Sequence, residues 1–425
     1  MRLLFIKNTV FLTLLLLISC ANKGGGNNAF AKANIHKEKD STKAKVFTQQ
    51  QNLKILVGAN QTEQYFPLLR GKNVGVVTNK SGLIFRTYPH SEEESIHLVD
   101  SLLTSGINVS KVFSPEHGFR GDVDAGEDVK DGKDPKTGLN IISIYGNNKK
   151  PSQEQLEGLD ILLFDIQDVG VRFYTYISTL TYVMEAAAEK DIPLIVLDRP
   201  NPNAHYIDGP TLRKEHSSFL GMHEIPLVYG MTIGEYAKMI NGEKWLKNNV
   251  KTDLKVIPLR NWKYTTTYKL PVRPSPNLPN SKSINLYPSL GFFEGTTVNA
   301  GRGTEMQFQI FGAPDFSKSQ FTYAYTPQPN FGAKSPKYNG LLCNGKDLRE
   351  VDDLSSVNLQ WLIEAYKASN DKDSFFKTAS FTLHAGTEDL QKAIEAGIPF
   401  EEIKSSWTED IEHFKKIRSK YLLYE

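Results

Sequence analysis

Unbroken apolar runs of strand length alternate along the chain with segments whose apolar residues recur every three or four positions. Val74-Gly75-Val76-Val77-Thr78-Asn79 is the first such run, halted by Lys80-Ser81-Gly82. Over Glu93–Ser105, the positions Ile96, Val99, Leu102 and Leu103 fall at helical spacing, and Gly106 stands where a C-cap belongs. Val109–Phe113 predicts a second strand, running into Ser114-Pro115-Glu116-His117-Gly118, and Arg120–Pro135 reads as a long Asp- and Gly-rich loop. Ile161–Phe164 is apolar without interruption, which suits a strand buried on both faces of a parallel sheet. Ser178 is placed to cap a helix whose apolar face carries Leu180, Val183, Met184 and Ala187. Ile192–Leu197 predicts another buried strand, and Thr232-Ile233-Gly234-Glu235 is a capping box opening a helix through Tyr236, Met239 and Ile240. Strands alternating with helices predict βαβ units, hence an α/β fold with a mostly parallel sheet.

Prolines at 271, 274, 276 and 279 crowd one short stretch, and the domain boundary is placed there, between 53–272 and 273–425. The second part predicts a helix through Leu359, Leu362, Ile363 and Tyr366, and a C-terminal helical pattern ending at Tyr421.

The N-terminus follows another pattern. Arg2 and Lys7 precede a short apolar stretch, Val10–Ile18, too brief to span a bilayer as a helix. Leu17-Ile18-Ser19-Cys20 resembles the lipobox of bacterial lipoproteins, so residues 1–19 are expected to be a signal peptide and Cys20 the lipidation site. Residues 20–52 are polar and aperiodic, as in a flexible tether. Ala21 rather than Asp after the cysteine points to the outer membrane, and the lack of an acidic cluster points to a periplasm-facing protein. The only other cysteine is Cys343, so a disulfide framework is excluded. A net charge of +2 with well-mixed charges argues against a nucleic-acid partner.

Candidate chemistry gathers at the predicted strand ends: Asn79; Glu116 with His117; Asp165 with Asp168 and Arg172; and Asp198 with Asn201. Ligands of open α/β sheets bind at the carboxyl ends of strands. No G-x-G-x-x-G follows the first strand, and there is no Walker sequence, G-x-S-x-G elbow or H-E-x-x-H. No cofactor and no metal are therefore expected, although carboxylates alone would not exclude a hard cation. Carboxylates, arginines, asparagines and aromatics suit a carbohydrate, and hydrolysing a glycosidic bond takes two carboxyl groups in opposite protonation states. Glu116 is flanked by Phe113, Pro115 and Phe119, a setting suited to the acid. His117 is equally readable as a site residue or a core histidine. Arg302 stands between Gly301 and Gly303, as for close approach to an anion.

Ser-Pro-Glu-His-Gly at 114–118, Phe-Asp-Ile-Gln-Asp-Val-Gly-Val-Arg-Phe-Tyr-Thr-Tyr at 164–176 and Leu-Asp-Arg-Pro-Asn-Pro at 197–202 belong together. With Phe-Glu-Gly-Thr at 293–296 and Gly-Arg-Gly-Thr-Glu at 301–305, they resemble the exo-β-N-acetylmuramidase family of the NamZ type. The resemblance runs from about Asn73 to Tyr424. One departure is Asn203-Ala204-His205, where a glycine often follows Asn-Pro-Asn. It implies a Rossmann-like domain followed by a smaller α+β C-terminal domain, with the active site in the cleft between them. It also implies release of N-acetylmuramic acid from non-reducing ends of peptidoglycan-derived muropeptides or disaccharides. On that footing Glu116 is expected to be the general acid, with Glu294 or Glu305 next in line. Asp168, beside Arg172, is expected to be the ionised base or the group orienting the N-acetyl. Arg172 or Arg302 would grip the lactyl carboxylate, and Tyr174 and Tyr176 would stack on the sugar. Asn79, Asp165, Asn201, Glu294 and Glu305 complete the substrate-binding set. The competing expectation is a glycan-capturing lipoprotein without catalysis; the excess of acidic residues favours the enzyme.

Overall fold

The computed structural model describes residues 54–121 and 131–425. The segments expected to be a signal peptide and tether, with Cys20, and also Asp124–Glu127 lie outside the described residues. In chain order the strands are β1 (Val74–Thr78), β2 (Leu83–Phe85), β3 (Ser95–His97), β4 (Val109–Ser114), β5 (Gly132–Lys133) and β6 (Asn140–Ser143). They continue with β7 (Ile161–Asp165), β8 (Leu194–Leu197), β9 (Leu254–Ile257), β10 (Ile310–Ala313), β11 (Tyr323–Tyr325) and β12 (Cys343–Asp347).

Seven of them form one sheet in the order β5-β6-β4-β1-β7-β8-β9. Only the edge strand β5 runs antiparallel to its neighbour. The chain leaves β1 toward β4 and β6, then returns to β7 on the other side of β1. That reversal is the topological switch of doubly wound folds, and the crevice it opens lies at the carboxyl ends of β1, β4 and β7. The unbroken apolar run of β7 has a direct cause. Leu162 and Phe164 belong to one core and Ile161 and Leu163 to another, on the two faces of the sheet. Each such side chain contributes roughly 1.5–3 kcal/mol by leaving water.

The helix Tyr176–Glu189 packs on the first face and Leu98–Thr104 on the second. Two sequence expectations change here. Residues 93–105 are not one helix: Ser95–His97 pair with Leu83–Phe85 in a hairpin, and the helix starts at Leu98. Ile96 pairs with Ile84 across that hairpin, so tertiary pairing overrides its helical spacing. The later helix begins at Tyr176 with Thr175 at its N-cap, and Ser178 lies buried inside it. The capping box of Thr232 and Glu235 is present.

The smaller C-terminal part carries an antiparallel sheet, β10-β12-β11. Its helices include Ser281–Leu290, Gln360–Ala368, Thr378–Ala385 and Thr408–Arg418. The proline-rich stretch at 271–279 forms neither helix nor strand. A single apolar core nevertheless runs past it, joining Phe173 and Phe164 to Phe293, Phe381 and Trp407. No helix among the described residues is long and apolar enough to cross a membrane.

Candidate active site

At the end of β1, Thr78 donates to the main-chain oxygen of Asp165 at 2.8 Å, and Asn79 Nδ2 donates to the Tyr176 hydroxyl at 2.8 Å. Asn79 Oδ1 accepts from Ser81, whose hydroxyl in turn accepts from the amide of Gln167. These bonds lock the loops after β1 and β7 together.

A cavity of about 550 Å³ opens beside this locked edge. Its walls include Glu116 and His117 from the loop after β4, Tyr174 and Thr175 from the loop after β7, and Tyr145 and Phe219. The C-terminal part closes it with Tyr287, Glu294, Arg302 and His384. The Glu116 carboxylate is gripped at both oxygens: Tyr145 donates to Oε1 at 2.8 Å and Thr175 Oγ1 donates to Oε2 at 2.7 Å. Thr175 makes no capping bond to its own helix; its backbone is already helical, at φ −67° and ψ −8°, and its hydroxyl points to Glu116. Phe113 and Phe119 are core residues, so hydroxyl donors rather than aromatic rings hold this carboxyl. His117 is buried on a backbone with φ of 73° and still lines the cavity, combining both expectations.

Across the cavity, Glu294 bonds Arg302 Nη1 at 2.7 Å, and Arg302 Nη2 donates to the oxygen of Gly332 at 3.3 Å. Arg302 can turn into the site because both flanking glycines, Gly301 at φ 79° and Gly303 at φ 82°, occupy the left-handed region. Burial works against the Glu294 charge, but Arg302, Lys337 and His384 together hold its carboxyl below the ordinary glutamate range. Tyr287 lies where both carboxylates act on it: burial first, then the charges of Glu294 and Glu116, push its phenol up.

Several predicted residues stand elsewhere. Asp165 is fully buried in a two-pronged pair with Arg199, at 2.6 Å to Nε and 2.8 Å to Nη2, and does not line the cavity. Asp168 is not paired with Arg172. Its Oδ2 accepts from the Gly170 amide at 2.6 Å and from the Tyr229 hydroxyl, and burial pushes its carboxyl up to about 6. Arg172 is buried too, and donates to the main-chain oxygens of Pro210, Ile225, His384 and Ala385. Those bonds tie the loop after β7 to the end of the helix Thr378–Ala385 and leave no face for a substrate carboxylate. Asn201 braces a loop, donating to Met231 O at 2.9 Å and accepting from the Asn203 amide at 2.8 Å. Glu305 is exposed and outside the cavity. Tyr174 lines the cavity with its hydroxyl on Pro274 O, but Tyr176 is buried edge-on behind it, with ring centres 4.8 Å apart.

Sequence reasoning missed Tyr145, Thr175, Tyr287 and His384. Thr175 lies inside the polar motif at 164–176, and that position beside Tyr174 is its signal in the sequence. Nothing local marked Tyr145, which lies after β6 and meets Glu116 only through the fold.

A doubly wound sheet carries one carboxylate at its switch point, and a second subdomain offers a carboxylate–arginine pair to the same cavity. Fold and site together define a two-part α/β protein with an acid-lined cleft. Comparison gives the family. Residues 74–282 match the N-terminal model of exo-beta-N-acetylmuramidase NamZ and residues 285–424 match its C-terminal model. The chain belongs to this family. It is 39% identical, over 85% of its own length and 89% of the relative's, to peptidoglycan beta-N-acetylmuramidase NamZ of Bacillus subtilis (strain 168). Two crystal structures of DUF1343 family proteins from Bacteroides fragilis NCTC 9343 share its fold. One has a TM-score of 0.79 at 43% identity, covering 87% of this chain and 99% of that one. The other has a TM-score of 0.75 at 29% identity, covering 88% and 99%.

Proposed function

We propose that this protein is an exo-acting β-N-acetylmuramidase, a glycoside hydrolase that releases terminal non-reducing N-acetylmuramic acid from peptidoglycan fragments. Family membership and likeness to the Bacillus subtilis enzyme support the activity. The observation that carries the chemistry is the presence of Glu116 and Glu294, from opposite subdomains, in one cavity. Such hydrolysis divides labour between a proton donor and an ionised carboxylate. Glu294, ringed by Arg302, Lys337 and His384, takes the ionised role. Glu116, aimed by Tyr145 and Thr175, takes the proton-donor role toward the glycosidic oxygen. Arg302 is the cavity arginine, so it replaces Arg172 as the partner for the lactyl carboxylate, and Tyr174 offers the sugar a ring. Asp168, bonded to Gly170 and Tyr229 away from the cavity lining, yields the ionised role to Glu294. The Leu17-Ile18-Ser19-Cys20 sequence supports anchoring through a lipidated Cys20, in the outer membrane and facing the periplasm.

Release of chromophore from an aryl β-N-acetylmuramide, compared with the corresponding glucosaminide, tests the reading. Turnover of the muramide and poor turnover of the glucosaminide are expected. Sugar binding with no release by concentrated protein would leave a capture protein instead. Membrane partition of wild type, lost in Cys20→Ala, is expected of the anchor; partition retained by that variant would exclude it.

A further inference from the structure

Glu294 stands on a short 3₁₀ turn, Gly291–Gly295, and such turns end with main-chain oxygens that lack partners within the helix. Lys337, in the connection between β11 and β12, reaches those oxygens. Its Nζ donates to Phe293 O at 2.7 Å, Thr296 O at 2.7 Å, Val298 O at 3.2 Å and Glu294 O at 3.3 Å. An ammonium has three protons, so four acceptors saturate it and leave no donor for a sugar. The chain at 293–298 is therefore wrapped around a half-buried cation, with Glu294 carried on the wrapped segment. Drawing an ammonium part-way out of water is costly unless it is hydrogen-bonded, and here the four carbonyl oxygens offset that cost.

We infer that Lys337 is a positioning residue for Glu294: its ammonium gathers the main-chain oxygens of residues 293–298, fixes the turn that aims this carboxylate and sets a positive charge beside that turn. The inference rests on the reading of Glu294 as the ionised partner. Other groups also act on Glu294. Arg302 touches it, His384 faces it from the helix Thr378–Ala385, Tyr287 from the helix Ser281–Leu290, and Glu116 stands across the cavity. Burial works against the charge of Lys337, Glu294 favours it, and Arg302 and Lys377 oppose it. Arg302 has a second assignment at the substrate, whereas the contacts of Lys337 are all to main chain. Lys337 also lines a second cavity, of about 340 Å³, which shares Glu294 and Arg302 with the first. A small ligand can therefore approach the place of its ammonium.

The experiment is the pH dependence of kcat/KM in Lys337→Met, Lys337→Ala and Lys337→Arg beside wild type. Removing the charge should raise the pH at which Glu294 ionises, so the acidic limb of Lys337→Met should move up by about one pH unit. The alkaline limb, which reports the proton donor, should stay in place. Propylammonium should restore part of the activity of Lys337→Ala, and neutral propanol should not. A uniform loss at every pH, with no limb moved and no rescue by the cation, would reduce Lys337 to a stability residue and overturn the inference. If neither neutral variant folds, Lys337→Arg carries the test. With charge kept but the four-oxygen fit lost, kcat should fall and the acidic limb should stay. An unchanged kcat, or a limb displaced by a unit, overturns it. The two readings fail separately: Glu294→Gln with wild-type turnover removes Glu294 itself. An inactive Glu294→Gln beside an unmoved limb in Lys337→Met removes only Lys337.

Discussion

The strand-end clusters of the main sheet and the facing walls of the cavity are built from the same residue types, yet they do different things. At the strand ends, Asp165 is consumed by Arg199, Asp198 by Thr232, Gly234 and Tyr424, and Asp168 by Gly170 and Tyr229. All three are buried, and their partners are protein. On the cavity walls, Glu116 and Glu294 are also bonded, but they remain part of a surface that a substrate reaches. An acidic residue at the carboxyl end of a parallel strand is therefore equally suited to bracing the loops or to acting on a ligand. What separates the two roles is whether its oxygens are enclosed by partners inside the fold, charged or not, or lie on the wall of a cavity.

The largest effect that would sharpen this contrast comes from the cavity side. Glu294→Gln should fold normally and lose about 10²–10⁴-fold in kcat on the natural disaccharide and on aryl muramides alike. A substitution on the bracing side should do the reverse. Asp165→Asn leaves Arg199 buried without its counter-charge, a loss of about 3–5 kcal/mol of stability. Denaturant unfolding should register that loss, while the protein that remains folded should keep kcat close to wild type. A variant of Asp165 that stays stable and loses only turnover would place it back among the tools.

The arginines give the next step down. Arg302→Ala should weaken muramides by about 2–5 kcal/mol, roughly thirty-fold or more, and narrow their advantage over glucosaminides. Arg172→Met should lower stability, since it unties Pro210 and Ile225 from His384 and Ala385, and leave the muramide-to-glucosaminide ratio as it was. Equal ratios in wild type and Arg302→Ala would dissolve the distinction between the two residues.

The architecture was readable because its causes are local. An apolar run such as Ile161–Phe164 can only be satisfied by cover on both faces, and the capping box of Thr232 and Glu235 announces its helix outright. Glu116, Glu294 and Arg302 were also readable, the last through the glycines that turn it. The sorting of the aspartates was not. Asp168 and Arg172 are four residues apart and opposite in charge, which suggests a pair. The loop instead sends Arg172 to a helix end two hundred residues later and Asp168 to Tyr229. Partners so distant in the chain, like Tyr145 for Glu116, leave no spacing to read.

The bracing side also carries a pH dependence. Burial raises Asp198 to about 7 and Asp168 to about 6, against an unfolded value near 3.8. A raised carboxyl gives stability that is complete below the unfolded value and is lost as pH rises through the folded one. The melting temperature should therefore fall between about pH 4 and pH 7, and Asp198→Asn should flatten that slope. An unaltered slope in that variant would mean that this aspartate is held charged.

The division of labour between Glu116 and Glu294 is tested most directly by changing the leaving group. Glu116→Gln should lose about 10²–10⁴-fold on the natural disaccharide, whose departing oxygen needs a proton. On an activated aryl muramide, which needs little protonation, most of that loss should disappear. Wild-type turnover of the disaccharide by Glu116→Gln, or an equal loss on both substrates, would contradict its role as the proton donor.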